Sequence, residues 1–205
     1  MFIFRENPGW GIREIFVEEI YNVDGSVPAK GDVVADIGAF YGDSSIYRSR
    51  VNQASVVAFE ALTSNFLVLK ENIELNRANI VTYNSALGDG GIIKALDDGT
   101  MLSTNNGGEY IKTKRLDEFQ FDKLDLIKID VEGFEESVLR GATNTISKFR
   151  PRIIIETHSK YLASRCNDLI TNQGYILKKV VRSSVKPVKG SWMDRVENRF
   201  YISDS

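Results

Sequence analysis

The chain has 205 residues, 42% of them hydrophobic and 26% charged, with a formal net charge of -2. That length suits one domain with a full core, and so balanced a charge gives no global pull toward nucleic acid or anionic lipid. Cys166 is the sole cysteine, which excludes an internal disulfide and fits a reducing, cytoplasmic setting.

Residues 1–10 carry Arg5 and Glu6 and no long apolar run, so they read as neither signal peptide nor membrane anchor. No repeat, low-complexity tract or linker divides the sequence. It reads as one domain over 1–205, with a lead-in at 1–30, a cofactor-binding core at 33–158 and a C-terminal helix and strands at 159–205.

Apolar runs at 33–39 and 55–61 predict buried strands, with a short helix at 43–50 between them whose serines favour its N-terminus. Thr63, Ser64 and Asn65 can cap the next helix, on which Leu62, Phe66, Leu69 and Ile73 share a face. Strands follow at 79–87 and 124–131, then a helix at 137–149 interrupted around Gly141. Pro151 introduces a β-branched strand at 152–157, followed by a helix at 161–173 and strands at 175–181 and 199–203. A further pair at 92–96 and 110–115 predicts an inserted hairpin carrying a polar loop at 97–109. The alternation argues for a doubly wound, mostly parallel α/β sheet with an antiparallel final strand, and places ligands at the carboxyl ends of its strands.

The motifs cluster at those ends. The first strand closes in Asp36-Ile37-Gly38-Ala39-Phe40-Tyr41-Gly42, a turn in which glycines let backbone approach a ligand. Its spacing is not that of a dinucleotide site, and Asp36 sets a carboxylate where a pyrophosphate would lie. Asp36 would instead attract the ammonium of a methionine moiety, with the helix N-terminus taking its carboxylate and Ser44 and Ser45 adding hydroxyls. The plainer alternative is a tight turn in which Asp36 caps the helix. Glu60, ending the second strand before Ala61, can accept both ribose hydroxyls of an adenosine, and Ser85, Ala86 and Leu87 can flank the adenine.

Asp130 and Glu132 end the fourth main strand on one side, and Glu156 and His158 end the fifth. Such carboxylates and an imidazole can orient a hydroxyl and accept its proton, or cap helices and pack. A divalent metal is possible in this group but not expected, because no dense ligand motif appears.

Taken together, these residues resemble the FkbM family of S-adenosylmethionine-dependent methyltransferases. The landmarks are Asp36 to Gly42, Val57 to Ala61, Asn65, Leu69, Asn72 and Asn76, then Ser85 to Gly88. Asp125 to Glu135, Val138 to Ala142 and Pro151 to His158 complete them. Phe40 stands where the family usually has asparagine, and Ala61 where it usually has proline. The resemblance implies a Rossmann-like class I methyltransferase fold with S-adenosyl-L-methionine as cofactor. It also implies O-methylation of a hydroxyl on a small-molecule or glycan acceptor, a sugar or natural product. Asp130, Glu132 and His158 are then the catalytic candidates, with Glu132 or His158 as base and Asp130 also orienting the cofactor.

Trp10, or the 183–195 segment with Trp192, could stack on a sugar, and Lys186 and Lys189 could favour an acidic acceptor. The rivals are an RNA or protein methyltransferase and a non-catalytic adenosine-binding module. No basic stripe with interleaved aromatics supports RNA. Oligomeric state and acceptor identity stay open.

Overall fold

Val34 packs on one side of a sheet and Ala35 on the other, and neither has any exposed surface. Burial of both faces is what a parallel sheet flanked by helices requires, and it explains why its strands are continuous apolar runs. The computed structural model describes residues 2–5, 15–16, 20–95, 109–182 and 196–203. Its strands are β1 (Val33–Ile37), β2 (Ser55–Glu60), β3 (Ile80–Asn84), β4 (Ile92–Ala95) and β5 (Glu109–Lys112). They continue as β6 (Leu126–Ile129), β7 (Arg152–Thr157), β8 (Tyr175–Arg182) and β9 (Glu197–Ser203).

Seven of them form a sheet in the order β3-β2-β1-β6-β7-β9-β8. β9 runs antiparallel to both neighbours, and the pairings among β1, β2, β3, β6 and β7 are parallel. This is the Rossmann-like arrangement the sequence predicts. β4 and β5 pair antiparallel as the inserted two-stranded unit. The predicted second hairpin strand is shortened, because Lys114 leaves the pair to exchange backbone hydrogen bonds with Ala86 and Gly88. Residues 96–108 and 183–195 lie outside the described residues, and so do Trp10, Trp192, Lys186 and Lys189.

The helices are α1 (Asp43–Arg50), α2 (Thr63–Asn76), α3 (Glu135–Gly141), α4 (Thr143–Phe149) and α5 (Lys160–Thr171). Residues of α3, α4 and α5 (Val138, Ile146 and Cys166) join Ile127 and Ile153 in the core of one face. Tyr47 of α1 and Leu69 of α2 join Val34 and Ile154 on the other. Two capping expectations are corrected. Gly42, at φ 90°, caps α1 in place of its serines, and Leu62 caps α2 in place of Thr63, Ser64 or Asn65. The serines are drawn instead into buried side-chain bonds, and the Leu62 N–H is taken by the Glu60 carboxylate. Among the described residues no helix is long and apolar enough to cross a membrane.

The expected interruption near Gly141 is real and falls at Ala142, between α3 and α4. A Cβ on Gly141 would lie 1.8 Å from the Gly88 carbonyl oxygen, so helix and loop backbones touch there. Gly141→Ala should therefore lower stability by about 1–3 kcal/mol, where alanine for glycine usually favours a helix. Denaturant unfolding of the two proteins checks the sign.

Candidate functional site

Parallel register sets Asp36 of β1 beside Lys128 of β6. The Lys128 ammonium, buried with its partner, stands 3.3 Å from Asp36, 3.4 Å from Asp130 and 3.1 Å from the Gly38 carbonyl, to which it donates. Burial alone would pull its pKa down, but Asp36, Asp130 and Asp43 together hold it well above the usual lysine value. One cation thus ties a strand, the glycine turn and the acidic strand end together. Burial also lifts the Asp43 carboxyl to about 6, against the pull of Lys128 and the Ser44 N–H.

The glycine turn is fixed by its own backbone. Gly38 and Ala39 donate to the Phe59 carbonyl, Gly42 donates to Ala39, and Asn72 of α2 donates to the Tyr41 carbonyl at 2.8 Å. Gly38 has φ +81° and a Cβ there would lie 1.8 Å from the Asp130 carbonyl oxygen, so no side chain fits. Phe40 takes φ 50°, a region that asparagine tolerates better than phenylalanine. Its ring stacks on Tyr41 at 3.8 Å and stays 37% exposed.

Glu60 closes the turn from β2. It accepts from Phe40 N–H and Leu62 N–H, both at 2.9 Å, and from Asn65 at 3.4 Å. Burial raises its pKa, opposed by those hydrogen bonds. Ala61 follows half-buried, its carbonyl held by Asn84.

At the other strand ends, four carboxylates among the described residues face the His158 ring. Nδ1 lies 3.1 Å from Glu135, and Nε2 lies 3.4 Å from Glu132, 3.5 Å from Glu156 and 4.0 Å from Asp130. Burial by itself would lower the imidazolium pKa. The hydrogen bonds to Glu135 and Glu156 and the charges of Glu132 and Asp130 outweigh it and lift the pKa to about 11. Glu132 sits at φ 51° just before Gly133 and is 36% exposed. Burial beside Asp130, Glu156 and Glu135 raises its pKa to about 7, although His158 pulls the other way.

Two sequence expectations change. The hydrogen bonds and charges around His158 favour its imidazolium form, which has no lone pair to accept a proton, and so shift the base toward Glu132. Ser44 and Ser45 as ligand hydroxyls are corrected as well. Ser45 is fully buried and donates to Asp36 at 2.7 Å, and the Ser44 oxygen accepts from Arg48 at 3.2 Å. Asp36 has no exposed surface and meets Lys128 and Ser45, so it acts behind the turn rather than at its face. Ala86 and Leu87 are buried, Leu87 in the core beside Phe59, which leaves half-buried Ser85 at the rim.

Lys128 and Glu135 are the residues that sequence reading under-weighted. A lysine flanked by isoleucines in a strand needs a buried partner, and alternation puts it on the face of Asp130. Glu135 becomes legible only once the chain is folded, because it reaches His158 across the sheet edge. Asp130, Glu156 and His158 each bring one ligand atom within 4.8 Å of the others. A metal held there would replace the proton that the surrounding carboxylates favour on the ring.

Residues 32–177 match the model of the methyltransferase FkbM domain. A relative, the AMB antimetabolite synthetase AmbE of Pseudomonas aeruginosa, is 29% identical over 80% of this chain and 10% of its own length. The hexuronic acid methyltransferase AglP of Haloferax volcanii is 28% identical over 73% of this chain and 66% of its own. The chain thus spans less than two thirds of each. Among solved structures, the methyltransferase FkbM from Methylobacillus flagellatus superimposes with a TM-score of 0.60 at 20% identity, covering 83% of this chain and 44% of that one. Aeropyrum pernix fibrillarin, solved with natively bound S-adenosyl-L-methionine, gives 0.60 at 12% identity, covering 92% and 74%. Both carry the same fold.

His158 is the one histidine in the sequence, so its ring gives a single imidazole signal. Its folded pKa of about 11 exceeds the ordinary 6.5, so the stability it adds is complete below 6.5 and is lost as pH rises through 11. Nitrogen-15 NMR of the ring should show imidazolium unchanged between about pH 5 and pH 9. A titration near neutrality would mean that the carboxylates do not hold the proton.

Proposed function

The chain belongs to the FkbM methyltransferase family, and from that premise we propose that it moves a methyl group from S-adenosylmethionine to a hydroxyl oxygen. The acceptor class is a sugar, glycan or natural product. The observation that carries the cofactor reading is the Glu60 carboxylate, sealed to the glycine turn through Phe40 N–H. A carboxylate offers about four acceptor positions; Phe40 N–H, Leu62 N–H and the long bond from Asn65 take three, so a pair of ribose hydroxyls is accepted once Asn65 gives way. Asp36 supports the turn from behind through Lys128, which holds the Gly38 carbonyl.

The sulfonium supplies an electrophilic methyl: the acceptor oxygen bonds to carbon while the carbon–sulfur pair leaves with sulfur. What the protein must add is position and a place for the acceptor's proton. Glu132 fits the second task. Its carboxyl is raised to about 7, is part exposed, and stands against the His158 ring, whose protonated form stabilises it once ionised. Asp130, between Lys128 and His158, orients the acceptor hydroxyl. No step in this reading needs a metal. The name of the relative AglP supports sugars, hexuronic acids among them, as the first acceptors to try.

Calorimetric titration with S-adenosylmethionine, S-adenosylhomocysteine and NAD tests the cofactor. The two adenosyl compounds should saturate, NAD should not, and both Asp36→Asn and Glu60→Gln should weaken binding. Binding of NAD alone would point to an oxidoreductase.

With an acceptor in hand, kcat/KM should rise with pH through an apparent pKa near 7 and then level off, because Glu132 must be ionised to take a proton. Glu132→Gln should cut kcat by about 10²–10⁴-fold and remove that limb. A profile unchanged in the variant would assign the base elsewhere.

A further inference from the structure

Asn72 and Asn76 lie one turn apart on α2 and are 0% and 4% exposed. A buried carboxamide is unfavourable unless its donor and its acceptor both find partners. Here both do, and part of the supply comes from the lead-in. Asn76 accepts from the Ile3 N–H at 3.0 Å and donates to the Ile3 carbonyl at 2.6 Å, as a neighbouring strand would. Asn72 accepts from the Arg5 N–H at 2.8 Å. Alternate N–H groups of the lead-in thus face α2, and the two asparagines take the place of a sheet neighbour. On the other flank, Phe2 and Phe4 meet the Phe16 ring edge-on, with centroids 4.7 and 6.0 Å away, and Phe16 meets Tyr47 of α1 at 5.2 Å. The lead-in therefore rests on both helices that border the glycine turn.

The other end of the Asn72 carboxamide is bound to the turn itself, where Nδ2 donates to the Tyr41 carbonyl at 2.8 Å. Tyr41 follows Phe40, whose N–H holds Glu60. A carboxamide donates at one end and accepts at the other. This one fits while the lead-in supplies an N–H and the turn supplies a carbonyl. Without the Arg5 N–H, the Asn72 oxygen is left buried and unpaired, and the amide can rotate off Tyr41.

We propose that Asn72 is a positioning residue that couples the seating of residues 3–5 to the shape of the cofactor-binding turn. The inference rests on the methyl-transfer reading for its ligand. Such coupling is reciprocal: a cofactor that prefers the seated turn also tightens the lead-in. The Arg5 side chain is not the agent, because its 2.9 Å pair with Glu71 is open to solvent, with the partners 64% and 45% exposed.

Two substitutions at one position separate backbone from side chain. Arg5→Pro removes the N–H that Asn72 accepts, and Arg5→Ala removes only the exposed ion pair. In calorimetric titration of the full chain with S-adenosylhomocysteine, Arg5→Pro should bind about tenfold more weakly at unchanged stoichiometry. Arg5→Ala should stay within about twofold of wild type. Asn72→Ala should lose at least as much as Arg5→Pro, and Asn76→Ala, which leaves Tyr41 held, should lose less. A purely structural role would lower the melting temperature and leave the affinity of the folded protein unchanged. Hydrogen exchange gives the reciprocal reading: the Ile3 and Arg5 amides should slow when S-adenosylhomocysteine binds.

Arg5→Pro within about twofold of wild type, or an equal loss in Arg5→Ala, overturns the coupling. Should Arg5→Pro fail to fold, exchange on the wild type decides, and amides at 3 and 5 that the ligand leaves unprotected overturn it. Failure of every adenosyl compound to bind wild type would instead sink the methyl-transfer reading. The coupling is then judged without ligand, by the Phe40 and Gly42 amide signals in nitrogen-15 NMR. They should move in Arg5→Pro and not in Arg5→Ala, and signals unmoved in both overturn it.

Discussion

Burying a lysine in the middle of a parallel sheet is unfavourable unless its charge and all its donors find partners, and the region around Lys128 is arranged to meet that demand. Asp36 comes from the adjacent strand, Asp130 from two positions along its own, and the Gly38 carbonyl from the turn above. The backbone needed at Gly38 is then fixed, because the turn must lie close enough to the Asp130 carbonyl that a side chain has no room. Breaking such a pair from one side typically costs about 3–5 kcal/mol, since the other charge stays buried. The glycine turn is consequently a rigid edge rather than a loop, held from below by a cation and from the side by Glu60.

A second concentration of charge lies next to it, and its logic differs. Four carboxylates around one imidazole leave an excess of negative charge, which is relieved by retaining a proton on His158 and by raising the Glu132 carboxyl toward neutrality. Two groups in direct contact are driven apart in function. The surroundings favour the cation on one, and bring the other closer to exchanging a proton near neutrality. Glu132, in a left-handed turn and part exposed, is the member that can meet an incoming hydroxyl.

Much of the fold was legible in the sequence because its signals are local. The run from Val33 to Ile37, the β-branched stretch after Pro151 and the helix at Asp43–Arg50 follow from hydrophobicity and turn residues alone. The acidic strand ends were legible too, since alternation sets Asp130 and Glu132 on one side. What was not legible was who pairs with whom. That Ser45 serves Asp36, that Glu135 reaches His158, and that Arg48 turns inward to Tyr21 are facts of register and helix rotation. The surroundings of His158 were hidden for the same reason, because a histidine's basicity depends on neighbours that are distant in the chain. The resemblance to a family carried the motifs across, but not the protonation state.

The position of β9 has a consequence for how the molecule is assembled. It is the last strand in sequence but not the last in space, lying between β7 and β8 and bonded to both. β8 emerges earlier yet has no place in the sheet until β9 arrives, so the order of synthesis and the order of assembly differ. The gap between them exposes the flank of β7, where Ile153, Ile154 and Ile155 meet Tyr201, Phe200 and Arg199 in the finished sheet. Until those seven residues dock, a β-branched strand stands open to pairing with other chains, and closure of the sheet protects it from aggregation.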